Sequence, residues 1–85
     1  MFEEQIEELT TLMEKDIDDG FRIVIGFFAA ILISFMNNFT ADDLEILNLM
    51  SGILIKMANL EKNSNIKDEL SNIIYSIEEI QSVSL

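Results

Sequence analysis

Residues Ile23–Met36 read IVIGFFAAILISFM, an uncharged run in which only Gly26 and Ser34 fall outside the hydrophobic class. The run is shorter than the roughly 20 residues of a bilayer-spanning helix and fits a buried core helix better. A helix apolar on every side must be enclosed by its own chain, by a second copy or by lipid. Projected at about 100° per residue, Gly26, Ala30 and Ser34 fall together with Ala29 at their edge. Val24, Phe28, Ile31 and Phe35 lie opposite. Small residues four apart let a second helix approach closely, which makes Gly26, Ala29, Ala30 and Ser34 a candidate self-association face. Ordinary packing of small residues inside a bundle is the plainer account.

Working outward, 85 residues amount to a single domain over 1–85 with a modest core. Yet 49% of the chain is hydrophobic and its mean hydropathy is +0.30, more apolar material than so small a monomer hides. The excess points to a homo-oligomer, most simply a homodimer, or to an obligate partner. Cysteine is absent, so packing rather than disulfides or cysteine-held zinc must stabilise the fold. Sixteen acidic residues against five basic ones give a net charge of −11. That balance repels nucleic acid and anionic lipid and favours a partner protein with a basic or apolar surface. It also keeps an apolar chain soluble, with or without such a partner.

Proline is missing and glycine occurs three times, so long helices are permitted. Phe2, Ile6, Leu9 and Met13, widened by Leu12, form the apolar stripe of a first helix over Phe2–Glu14. Its outer face carries Glu3, Glu4, Glu7 and Glu8, placed to favour a helix N-terminus. A break follows near Lys15–Asp19, where Asp16 is expected to cap the next helix with Asp18 and Asp19 in its first turn. A break at the turn-like dipeptide Asp19-Gly20 and one uninterrupted helix from Phe2 to Met36 are the competing readings. The aspartates do not fit a calcium loop: counted from Asp16, position 6 is Phe21 and position 12 is Phe27.

Asn37 and Asn38 suit a left-handed helix C-terminus. Thr40 with Asp43 resembles a capping box, and Phe39 with Leu44 its hydrophobic staple. Helix three, Ala41 to about Glu61, carries one stripe through Leu44, Leu47, Ser51, Leu54 and Ala58. A second stripe runs through Ile46, Leu49, Ile53 and Leu60, which implies more than one neighbour. After the polar connector Glu61–Asn65, Ser64 or Asn65 is expected to cap a fourth helix. Its seam is Ile66, Leu70, Ile73, Ile77 and Ile80, and Gln81–Leu85 is expected to fray.

Histidine, cysteine and tryptophan are all missing, so nucleophilic catalysis lacks its usual base. No phosphate loop, zinc-protease or dinucleotide signature occurs. The acidic N-terminus lacks the positive charge of a signal peptide, which points to the cytoplasm. The expectation is an all-α bundle of three or four helices, with a fully apolar central helix and no catalytic site, metal or cofactor. Its work would be protein binding, as a small regulator or inhibitor of phage or plasmid type, in one form a mimic of nucleic-acid charge. Glu3, Glu4, Glu7, Glu8, Asp16, Asp18 and Asp19 would steer it. A self-assembling structural subunit and a membrane-associated helical hairpin are the alternatives.

Overall fold

The computed structural model describes residues 1–84. Those residues form four helices, α1 (Glu3–Met13), α2 (Asp19–Asn37), α3 (Asp43–Leu60) and α4 (Ser64–Ser84), and no strand. The protein is all-α. Its helices pair into two hairpins, α1 with α2 up to Phe39 and α3 with α4 from Thr40 onward.

In the first hairpin α1 buries Phe2, Gln5, Leu9 and Leu12, while Ile6 and Met13 are only half-buried. The packed seam is therefore rotated from the expected Phe2–Ile6–Leu9–Met13 stripe and takes in a polar residue. Gln5 is 6% exposed and its Oε1 accepts no hydrogen bond. On α2 the packed side is Ile25, Phe28, Ala29, Leu32 and Phe35. The rings of Phe2, Phe35 and Phe39 meet with centroids 5.2 to 5.7 Å apart. That cluster joins the start of α1 to the end of α2, so the helices run antiparallel. Phe39, expected to staple Leu44, is thus engaged by Phe2 and Phe35.

The helices break over residues 14–18, where the sequence places the interruption. The cap is Asp18 rather than Asp16: its Oδ1 accepts from the Gly20 N–H at 2.8 Å and the Phe21 N–H at 3.4 Å. Gly20 sits in the first turn, where a Cβ would come within 2.9 Å of that same Oδ1. Arg22 closes the turn. Its Nε donates to the Met13 carbonyl at 3.0 Å and its Nη2 to the Lys15 carbonyl at 3.0 Å. Nη1 pairs with Asp19 Oδ1 at 2.6 Å. A cation from α2 thereby satisfies carbonyls at and just beyond the negative end of α1.

In the second hairpin α3 packs through Leu47, Met50, Ser51, Leu54, Met57 and Ala58. Ile66, Leu70, Ile73, Ile74 and Ile77 are the buried residues of α4. Most of the expected seam residues are buried, but Leu44 and Ile80 are half-buried, and Met50, Met57 and Ile74 join the packed side unforeseen. Half of the capping box forms, Asp43 Oδ2 accepting from the Thr40 N–H at 2.8 Å. The Ala41–Asp42 turn precedes the helix proper. Asn63, not Ser64 or Asn65, caps α4: its Oδ1 accepts from the Asn65 and Ile66 N–H groups at 3.0 and 3.4 Å. Asn38 leaves α2 in extended conformation, and no described residue has positive φ, so the left-handed terminus expected there is not used. α4 continues through Ser84, and Leu85, the last residue of the tail expected to fray, lies outside the described residues.

Replacing Arg22 with alanine should lower stability by about 1–2 kcal/mol, because two carbonyls at the turn lose their donor. Lysine should recover only part of this, lacking the fork that spans both oxygens. Gln5→Leu should raise stability by about 1 kcal/mol by removing an unpaired buried acceptor. Urea unfolding followed by circular dichroism checks all three.

Candidate functional site

An exposed apolar side of the first hairpin lies on α2, turned away from α1. Ile23, Phe27 and Ile33 are 73%, 65% and 52% exposed there, while Met36, 47% exposed, stands at the end of the helix in phase with the packed side. Ala30 and Ser34 are exposed among them. Ile23, Phe27, Ala30 and Ser34 follow one another at steps of four, three and four, which lines them along one side of the helix. Beyond Arg22, α2 carries no charge. The Ser34 hydroxyl donates to the Ile31 carbonyl at 2.8 Å, so its polar group is satisfied within the helix. Contiguous apolar surface rimmed by polar residues is the usual mark of a protein or membrane contact.

The four small residues read as a self-association face divide between the two sides of α2. Ala29 is buried against α1, and a Cβ on Gly26 would come within 3.0 Å of the Met13 Cε. Those two serve the contact with α1. Ala30 and Ser34 belong to the exposed side with Phe27. The bulky residues Ile23, Phe27 and Ile33 extend that side further than the small residues indicated. Their signal in the sequence was overall apolarity without a polar stripe, which shows that a second face exists but not which residues share it.

The seven acidic residues separate as well. Glu3, Glu4 and Glu7 are exposed on the first turns of α1 and Glu8 is half-buried. Asp16, Asp18 and Asp19 are exposed at the turn. Because α1 rises about 16 Å over its length, the two groups sit toward opposite ends of the hairpin. Asp18 and Asp19 also have structural tasks, capping α2 and pairing with Arg22. Glu3 meets the N-terminal ammonium at 2.6 Å. That hydrogen bond, then one from its own backbone, then the charge of the ammonium hold its carboxyl below the usual range. Glu4, Glu7 and Asp16 remain as solvent-facing carboxylates.

The second hairpin has a shallow open groove between its helices, lined by Ile55, Ala58, Ile74 and Tyr75 with Lys67 and Glu78. It mixes apolar and charged groups without a convergent polar cluster. Among the described residues no group of three or more His, Cys, Asp or Glu side chains is placed to hold a metal ion. By length and composition α2 passes for a membrane-crossing helix, with a hydropathy of 1.8 over its most apolar window, 28% of it buried. Comparison with protein families, with curated proteins and with solved structures finds no match for this chain.

Neighbouring phenylalanines on α2 should respond oppositely to substitution. Phe28→Ala, at a position 5% exposed, should cost about 3–5 kcal/mol. Phe27→Ala should change stability by no more than about 0.5 kcal/mol while reducing binding of a hydrophobic fluorescent dye to the folded protein. Denaturant titration and dye fluorescence on the same samples separate the two roles.

Proposed function

We propose that the protein is a small acidic interaction module that docks on another protein through the exposed apolar side of α2, as a regulator or inhibitor. The observation that carries this reading is the exposure of Ile23, Phe27 and Ile33 on a helix already packed along its other side. The occupant is a protein surface with an apolar ridge and basic margins. Apolar burial supplies the affinity, and the −11 net charge selects the sign of the margin and speeds encounter. Glu4 and Glu7 are exposed on the side of α1 turned away from α2 and Asp16 is exposed at the turn, so these carboxylates act through long-range attraction. An acidic body of this kind is also suited to a surface that otherwise receives phosphate, which is charge mimicry. A cytoplasmic setting belongs to the same proposal.

A membrane reading has one observation in its favour, the length and apolarity of α2. Against it, α2 begins with Asp19 and Arg22 paired to one another, and Arg22 is tied to the turn before α2. Insertion would have to carry or break those contacts.

A photo-activated cross-linker at Phe27, with a control at exposed Tyr75, distinguishes the occupants in cells that express the protein. A heterologous protein adduct at Phe27 is expected, reduced by Ile33→Glu and by combined Glu4→Gln, Glu7→Gln and Asp16→Asn. Lipid adducts at Phe27, or adducts formed equally at both positions, would overturn the docking surface. With the isolated partner, association should slow about tenfold as salt rises from low to physiological strength; a salt-independent rate would reject steering by the carboxylates.

A further inference from the structure

The side of α3 that faces away from α4 is also apolar and exposed, but it is organised differently from that of α2. Ile46, Leu49, Ile53 and Leu60 are 41%, 67%, 44% and 71% exposed. With Lys56 they follow steps of three, four, three and four, the spacing of a coiled-coil seam. Lys56 is exposed on this seam and Glu45 is exposed at its edge, neither with an ion-pair partner among the described residues. Gly52 lies beside the middle of the seam, and a Cβ there would meet no atom within 4 Å. Mid-helix glycine costs roughly 1 kcal/mol against alanine, and packing within this hairpin gives no reason for it.

We propose that this side of α3 is the contact with a second copy of the chain, packed antiparallel about a twofold axis level with Ser51. The charges decide both the occupant and the orientation. A parallel pair would set Glu45 beside Glu45 and Lys56 beside Lys56. In the antiparallel pair Leu49 packs on the second copy's Ile53, and the reverse. Glu45 lies six residues from the axis and Lys56 five, about 9 and 7.5 Å along the helix. Lys56 of each copy therefore arrives within about 2 Å, along the axis, of the second copy's Glu45, and the contact repeats by symmetry. The Lys56 stem covers the second copy's Ile46 while its ammonium reaches the carboxylate. Gly52 flanks the twofold axis, where a missing side chain lets the two backbones approach. This surface is separate from that of α2, so either can fail without the other.

The test is solution mass by light scattering across a concentration series, with circular dichroism to confirm folding. The wild type should be dimeric. Glu45→Lys or Lys56→Glu should each weaken dimerisation about tenfold, two attractive contacts becoming repulsive. The double exchange, Glu45→Lys with Lys56→Glu, should restore it. Because the chain has no cysteine, orientation can be read by a short bismaleimide on single-cysteine variants. Gly52→Cys should cross-link to itself. Leu60→Cys should not, its two copies lying about 27 Å apart. A monomeric wild type, a dimer indifferent to the charge reversals, an exchange that restores nothing, or linkage at both cysteines would each sink the proposal. So would a dimer that Phe27→Glu on α2 dissolves while the α3 reversals leave it intact.

Discussion

A helix that packs against one neighbour buries one side, and two-helix hairpins impose that limit on every helix they contain. For α1 and α4 the limit matters less, since their outward sides are mostly polar, with Tyr75 and Val83 the large exposed exceptions on α4. For α2 and α3 it matters more. Each has a packed side of ordinary core residues and an outward side on which large hydrophobic groups stand in solvent. An exposed leucine or isoleucine is common on protein surfaces. An aligned series along one helix is different, because its members can be removed from water together by a single partner.

The first hairpin is held at both ends by different chemistry. At one end three phenylalanine rings close over the start of α1 and the finish of α2. At the other a guanidinium takes up two carbonyls and a carboxylate. Between them lies Gln5, an uncompensated polar group in an otherwise apolar seam. A polar residue at such a position lowers stability and can favour one register over others. The arrangement keeps α1 fixed against one side of α2 and so determines which residues of α2 stay outside. The outward surface is thus a consequence of how the inner one is pinned.

Much of this was legible in the residues. The all-α class, the break between α1 and α2, and the α3–α4 seams follow from periodicity and from the absence of proline. The double stripe on α3 gave both its packed and its open side. The phase of α1 and α2 was harder to read. Gln5 shares a face with Phe2, Leu9 and Leu12, but a search for apolar residues passes over it in favour of Ile6 and Met13. On α2 nearly every position is apolar, so hydrophobicity cannot tell inside from outside, and the contrast of small with bulky residues cut across the actual division. Ala29 and Gly26 went inward while Ala30 and Ser34 stayed out. Arg22 escaped because its partners are backbone carbonyls, which no side-chain pattern announces. Asp18 and Asn63 displaced neighbouring cap candidates because several capping residues stand together in each connector, and backbone geometry chooses among them.

The two exposed sides differ in what they can recognise. Past its first turn α2 offers shape and apolar area with no charge, so it carries little information about the orientation of whatever lies against it. Orientation must come from groups outside that side of α2. On α3 one negative and one positive group stand along the apolar series itself, at nearly equal distances from its centre. A surface of that kind is complementary to its own image turned through half a circle, whereas a uniformly acidic margin is complementary only to something unlike itself. Self-recognition and recognition of a foreign basic surface therefore make opposite demands on charge. The two proposed contacts therefore call for different helices.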